Sequence, residues 1–123
     1  MILAVDIGNT NIKVGGWDND NLAFVSTMHT SKRRTCDEYA VKLLDIFRLG
    51  HFNITQFDGA IISSVVPQIS TTMTDAIKKV IQTDRVLSIS PGLKTGLNIK
   101  IDDPATLGAD LVCAGVAAMT NYS

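Results

Sequence analysis

The sequence is poor in cysteine, in long apolar runs and in unbalanced charge, and each shortage excludes a class of protein. Only two of its 123 residues are cysteines, Cys36 and Cys113, and neither has the close Cys or His neighbours that metal sites need. Two distant cysteines also make no disulfide framework. No uninterrupted apolar stretch reaches the roughly 18 residues of a membrane span, and no basic segment precedes the apolar N-terminus. A reduced, cytoplasmic location without a membrane partner is therefore expected.

An excess of positive charge is also missing. Eleven Lys and Arg residues against twelve Asp and Glu residues give a net charge of -1, which is not the footprint of a nucleic-acid or anionic-membrane binder. The single basic run, Lys32-Arg33-Arg34, is interpreted as a solvated loop or the approach to a helix. With 46% hydrophobic and 19% charged residues the chain is not disordered, and its length fits one compact domain.

The first part of the chain alternates apolar segments with turn residues. Residues 2–6, 12–17 and 22–28 are apolar and favour strands, whereas residues 8–11 and 18–21 carry the Gly, Asn and Asp of tight turns. This pattern predicts three strands in an antiparallel meander.

Helical periodicity begins after this meander. Thr35 and Glu38 form a capping-box pattern that opens a first helix ending near residue 50. Pro67 opens a second helix, and Asp103-Pro104 opens a third. The predicted order is βββαβαβα, with the later strands at 57–66 and 85–90 and the third helix reaching about residue 122. This order predicts an α/β fold with a mixed sheet and helices on both faces.

Residues 6–13, Asp-Ile-Gly-Asn-Thr-Asn-Ile-Lys, combine a carboxylate at a strand end, a Gly-led turn and a lysine. Asp6 can hold Mg²⁺ through water, the turn amides and Thr10 can donate to phosphate oxygens, and Lys13 can neutralise charge. The alternative is a hairpin whose turn serves geometry alone. The candidate phosphate-binding residues are Asp6, Ile7, Gly8, Asn9, Thr10, Asn11, Ile12 and Lys13.

Other polar residues have simpler explanations. Ser63 and Ser64 lie just before Pro67, so capping of the second helix explains them without a substrate. His29 and His51 lack a matching Cys, His or carboxylate cluster and are interpreted as surface or loop residues.

Four motifs, taken in chain order, resemble those of type III pantothenate kinases. They are Asp-Ile-Gly-Asn-Thr at 6–10, Ser-Ser-Val-Val-Pro at 63–67, Pro-Gly-Leu-Lys-Thr-Gly-Leu at 91–97 and Gly-Ala-Asp at 108–110. The resemblance covers essentially the whole chain. It implies a lobe of the actin-like, ribonuclease-H-like ATPase fold, a superfamily that places nucleotide between two such lobes. Residues 1–123 would be the N-terminal lobe, since the family's Asp-x-Gly-Thr motif of the second lobe is absent from them.

The resemblance also implies an activity and its cofactors. The full-length protein would phosphorylate pantothenate with ATP, the first step of coenzyme A biosynthesis, as a homodimer that needs Mg²⁺ and a monovalent cation, K⁺ or NH₄⁺. The first motif would bind the ATP phosphates, with Asp6 at the metal, and Asp110 would be the catalytic base. The implied substrate-binding residues are Gly108, Ala109, Asp110, Leu111 and Ile101. Because phosphoryl transfer needs donor, metal and acceptor held together, the isolated lobe is expected to be inactive.

Two positions depart from the family pattern. Leu111 follows Gly-Ala-Asp where the family usually has arginine, which removes a planar cation suited to the carboxylate of pantothenate. Ile101 occupies a position where the family tends to carry tyrosine. Both departures fall on the acceptor side, so a noncatalytic nucleotide-binding or assembly module on an actin-like lobe is the alternative function.

The predicted third helix is apolar on nearly every side from residue 107 to residue 119. One lobe cannot cover all of it, so a homodimer interface or the second lobe is expected to bury it. Asp110 is its only polar side chain in that segment. Besides the role of a base, complementing the positive N-terminal end of the helix would explain this residue.

Overall fold

The computed structural model describes residues 1–18 and 21–89 of the chain. The sheet contains β1 (Ile2–Ile7), β2 (Asn11–Asp18), β3 (Asn21–His29), β4 (Gly59–Ser64) and β5 (Val86–Ile89). The helices are α1 (Cys36–Leu49) and α2 (Pro67–Ile81), and a short 3-10 turn lies at Ile54–Gln56. No helix within these ranges is long and apolar enough to cross a membrane.

The strands form one mixed sheet in the order β3-β2-β1-β4-β5. β1, β2 and β3 pair antiparallel as consecutive hairpins, which confirms the predicted meander. β4 pairs parallel with β1, and β5 pairs parallel with β4, because the chain returns through α1 and α2 between them. This strand order is that of the ribonuclease-H-like lobe predicted from the sequence.

Both α1 and α2 cover the same face of the sheet. Alternate strand residues such as Val5 and Ile62 form one buried core with Leu43 of α1 and Met73 of α2. The helix predicted at residues 104–122 lies outside the described residues, so helices on both faces remain a prediction.

The start of α1 follows its sequence signal. The Thr35 side chain accepts the Glu38 N–H, and the Glu38 side chain accepts the Thr35 N–H, which makes the predicted capping box. The helix ends at Leu49, and the N–H of the C-cap residue Gly50 bonds back to the Ile46 and Arg48 carbonyls. α1 is thereby fixed at both ends.

The start of α2 differs from its prediction. The helix begins at Pro67 as expected, but its N-cap is Val66, which provides no side-chain cap. The Ser64 hydroxyl instead bonds the N–H and C=O of Val66, both at 2.9 Å. Ser63 is in strand β4. The prediction that Ser63 and Ser64 cap this helix is therefore wrong, because Ser63 lies within β4 and the Ser64 hydroxyl bonds to Val66 before the helix begins.

Strand β4 is shorter than the apolar run that predicts it. Phe57 is 5% exposed and belongs to the core, yet it follows the 3-10 turn that Asn53 caps. Val66, at the other end of the run, is 3% exposed and precedes α2. The ends of the run are apolar because they are buried, although they do not pair in the sheet.

Candidate phosphate-binding site

Four polar residues stand side by side across the sheet, on the face away from α1 and α2. Asp6 of β1 pairs with Lys13 of β2 on one side and with Ser63 of β4 on the other, and Lys13 pairs with Thr27 of β3. They alternate along the strands with core residues such as Val5, so their side chains point away from the face that α1 and α2 cover. We call these four residues the polar row. It lies near the carboxyl ends of the parallel strands, where open α/β sheets bind ligands.

Burial varies along the polar row. Ser63 is 7% exposed and is the only polar or charged residue that is buried in the described ranges. Asp6 and Lys13 are half-buried, and Thr27 is exposed. A ligand at the Asp6 end of the row would therefore lie beside one buried and one half-buried polar side chain.

The pKa of Asp6 reflects this setting. Partial burial raises the pKa of the Asp6 carboxyl above its usual 3.8, and the Lys13 ammonium partly offsets this by lowering it. A cation beside the carboxylate would compensate for its lost hydration. A single carboxylate fits Mg²⁺ that is held mainly by waters and phosphate oxygens. No cluster of three or more His, Cys, Asp or Glu residues forms a complete metal site within residues 1–18 and 21–89.

The turn after β1 lies beside the polar row. The Gly8 N–H donates to the Asn11 carbonyl at 2.9 Å and closes the turn. A Cβ at position 8 would lie 3.0 Å from that carbonyl oxygen, so a side chain there would require the turn to shift by a few tenths of an ångström. Asn9, Thr10 and Asn11 are exposed, which leaves the turn accessible to an anion.

The two isoleucines of the predicted motif have a different position. Ile7 and Ile12 are paired across β1 and β2 and are fully buried in the core that α1 and α2 cover. Their side chains face away from the polar row, so only their main-chain groups are available to a ligand. The Ile7 carbonyl accepts the Val65 N–H at 3.0 Å, which ties the end of β1 to the segment before α2.

Sequence reasoning missed Thr30, which bonds directly to the turn. Its hydroxyl donates to the Gly8 carbonyl at 2.8 Å, and its N–H donates to the Thr10 carbonyl at 2.9 Å. Thr30 lies 22 residues from Gly8, immediately after β3. No local pattern marks such a contact, because it depends on how β3 aligns with β2.

The remaining candidates fall into two groups. His29 and His51 are exposed, as predicted, and Lys32 and Arg33 of the basic run are exposed too. Arg34 is half-buried and places its guanidinium 5.5 Å from the centre of an aromatic ring. The acceptor-side candidates lie outside the described residues: Ile101, Gly108, Ala109, Asp110 and Leu111.

A shallow cavity of about 510 Å³ lies elsewhere, at the C-terminal end of α1. Leu44, Arg48 and His51 are among its lining residues, and none of the candidate phosphate-binding residues lines it.

Comparison with known proteins identifies the family. The profile of the family described as type III pantothenate kinase matches residues 2–123. Proteins named type III pantothenate kinase from two strains of Bifidobacterium longum, DJO10A and NCC 2705, are each 41% identical over 117 residues. The alignment covers 94% of this chain and 45% of each relative, so the chain spans less than half the length of these curated relatives.

A solved structure from Bacteroides thetaiotaomicron, described as a protein with an actin-like ATPase fold and unknown function, is also similar. It aligns with a TM-score of 0.47 and 13% identity, over 72% of this chain and 32% of that one. The family assignment rests on the sequence matches, which extend over nearly the whole chain. The chain belongs to the type III pantothenate kinase family.

Proposed function

We propose that residues 1–123 form the N-terminal lobe of a two-lobe kinase that phosphorylates pantothenate with ATP, the first step of coenzyme A biosynthesis. The observation that carries this proposal is the alignment of Asp6, Lys13 and Ser63 beside an exposed glycine turn, in a chain of this family. The site offers a carboxylate for a metal, a cation for phosphate charge and amides for phosphate oxygens.

The donor half of the reaction uses the turn and the polar row. Main-chain amides of the turn, together with the Thr10 hydroxyl, donate to phosphate oxygens of ATP, and Lys13 balances the phosphate charge. Asp6 would hold Mg²⁺ through water, and the ion would supply positive charge that stabilises the phosphate oxygens. Ile7 and Ile12 anchor the motif in the core, because their side chains are fully buried.

The acceptor half of the reaction uses residues 101 and 108–111, which family resemblance supports. Asp110 accepts the proton of the pantothenate hydroxyl. The hydroxyl oxygen forms a bond to the terminal phosphorus of ATP, and the bond between that phosphorus and the ADP oxygen breaks. Gly108, Ala109, Leu111 and Ile101 line the pantothenate site. A homodimer, a K⁺ or NH₄⁺ requirement and a cytoplasmic location belong to the same proposal and rest on the same resemblance.

A noncatalytic nucleotide-binding or assembly module is the second candidate, and a specific observation favours it. Leu111 cannot donate hydrogen bonds to a carboxylate as the family's usual arginine does, and Ile101 lacks the usual tyrosine hydroxyl. The kinase must bind both ATP and pantothenate. The module would bind nucleotide alone, or neither ligand.

Calorimetric titration of the natural full-length protein separates the two functions. The kinase predicts binding of both Mg²⁺-ATP and pantothenate, and Lys13→Met is expected to weaken ATP binding about 10-fold or more because a charge-assisted contact is lost. Lys79→Met is the matched control, since Lys79 is an exposed lysine of α2 that pairs with Asp37 of α1. Binding of ATP without pantothenate would favour the module, and unchanged ATP affinity in Lys13→Met would remove Lys13 from the site.

A further inference from the structure

Thr30 bonds to two main-chain carbonyl groups of the glycine turn, residues 8–11. The Thr30 hydroxyl donates to the Gly8 carbonyl at 2.8 Å, and the Thr30 N–H donates to the Thr10 carbonyl at 2.9 Å. One residue of the β3–α1 connection therefore fixes two peptide units of the turn. Neither bond involves a candidate ligand-binding group, because both end on main-chain carbonyls.

These two bonds set the direction of two turn amides. In a trans peptide the C=O and N–H groups point in opposite directions, and the described chain contains no cis peptide. The Gly8 carbonyl shares its peptide with the Asn9 N–H, and the Thr10 carbonyl shares its peptide with the Asn11 N–H. Both N–H groups therefore point away from Thr30.

The Thr30 hydroxyl also replaces a bond that such a turn ordinarily contains. A four-residue turn is often closed from the N–H of its last residue to the carbonyl of its first. Here the Gly8 N–H donates to the Asn11 carbonyl, but the Gly8 carbonyl accepts the hydroxyl of Thr30 instead of the Asn11 N–H. The Asn11 N–H thus does not bond the carbonyl that ordinarily closes such a turn, and Asn11 is exposed.

Helix α1 keeps Thr30 in place through the next residue. The Tyr39 hydroxyl donates to the Ser31 carbonyl at 2.7 Å and accepts the Ser31 N–H at 3.2 Å. Tyr39 is fully buried, so its ring cannot swing away from this position. The contacts form a continuous connection from a packed helix to the turn, the kind of support that precise ligand positioning requires.

We propose that Thr30 is a positioning residue for phosphate recognition: its hydroxyl orients the turn so that the Asn9 and Asn11 amides face the phosphates of ATP. This inference rests on the proposed function of the turn. The amides contact phosphate in both the ground state and the transition state, so loss of Thr30 changes the KM for ATP more than kcat.

The test compares Thr30→Val, which has nearly the same shape without the hydroxyl, with Thr30→Ser, which retains it. Thr74→Val is the matched control, because the Thr74 hydroxyl also donates to a main-chain carbonyl at 2.8 Å, within α2. Steady-state kinetics of the natural full-length protein give kcat and the KM values for ATP and pantothenate. Amide hydrogen exchange of the unliganded protein reports the Gly8 and Thr30 N–H groups.

Thr30→Val is expected to raise the KM for ATP about 10-fold with little change in kcat or in the KM for pantothenate. Exchange at Gly8 and Thr30 should accelerate in this variant, while Thr30→Ser and Thr74→Val stay within about twofold of wild type. A wild-type KM for ATP in Thr30→Val overturns the inference. A KM for ATP about 10-fold higher in Thr30→Ser overturns it too, because that variant retains the hydroxyl. If Thr30→Val does not fold, the result for Thr30→Ser decides.

A loss of kcat at constant KM would indicate only a smaller folded fraction and contradicts the positioning role. If the wild-type protein does not phosphorylate pantothenate, the proposed function fails, and the Kd for Mg²⁺-ATP replaces the KM. An unchanged Kd in Thr30→Val, or unchanged exchange at Gly8, then overturns the role of Thr30 separately.

Discussion

At the scale of one residue, the half-buried carboxylate of Asp6 suits a binding site but lowers the stability of the unliganded fold. Burial raises the pKa of its carboxyl above 3.8, and Lys13 only partly offsets the change. A raised pKa means that the folded state favours the protonated form. The contribution of Asp6 to stability is therefore fully present below the unfolded pKa and is lost as pH rises through the folded pKa.

Asp6→Asn is accordingly expected to stabilise the unliganded protein at neutral pH, because asparagine has no charge to desolvate. The gain should shrink as pH falls through the raised folded-state pKa toward 3.8, because Asp6 in the folded protein becomes neutral above that value. Thermal unfolding from pH 7 downward measures this, with the exposed Asp75→Asn as the control. An Asp6→Asn variant that melts earlier than wild type at pH 7 would show that attraction to Lys13 outweighs burial.

Asp110 gives a second test at this scale. If it is the catalytic base, Asp110→Asn in the full-length protein keeps folding and ATP binding but lowers phosphoryl transfer by roughly 10²-fold or more. Turnover per folded molecule, measured together with thermal unfolding, distinguishes this from a helix-end role. Early melting with unchanged turnover would assign Asp110 to stabilisation of the helix instead.

At the scale of the element, helix α1 supports the turn through the Tyr39 hydroxyl, which bonds the main chain of the residue after Thr30. Tyr39→Phe removes one hydroxyl that bonds both main-chain groups of the half-buried Ser31. We expect a loss of about 1–3 kcal/mol in the free energy of unfolding, since two polar groups lose their partner. Urea denaturation measures it, and an unchanged midpoint would show that water replaces the hydroxyl without cost.

The elements themselves were largely predictable from local patterns. The meander, the Thr35 cap and the start of α2 at Pro67 each follow from a few neighbouring residues, and the structure has them. The 3-10 turn at Ile54–Gln56 was not predicted, and the extent of β4 was overestimated, because an apolar run records burial rather than strand pairing.

The candidate site was predictable only where its residues are contiguous. Asp6, Gly8 and Lys13 were identified because one short motif contains them. Ser63 was misinterpreted as a cap, since its alignment with Asp6 arises from the parallel pairing of β1 with β4. Thr30 was missed for the same reason: its contact with Gly8 spans 22 residues and requires the aligned β2–β3 hairpin.

The whole molecule is proposed to work as a clamp, of which this chain provides one side. The chain covers 45% of the relatives that it matches, and the proposed second lobe would complete the nucleotide pocket. In-line phosphoryl transfer needs donor, metal and acceptor held in one geometry, and holding them accounts for most of the rate. One lobe can present the turn and the polar row without providing that geometry.

The most direct test of the proposed kinase is ATP-dependent formation of phosphopantothenate by the natural full-length protein, compared with residues 1–123 alone. We predict sustained turnover by the full-length protein, loss of roughly 10²-fold or more in Asp6→Asn, and almost no turnover by residues 1–123. Sustained turnover by residues 1–123 would contradict the two-lobe requirement. A folded, ATP-binding full-length protein that leaves pantothenate unphosphorylated would contradict the kinase itself.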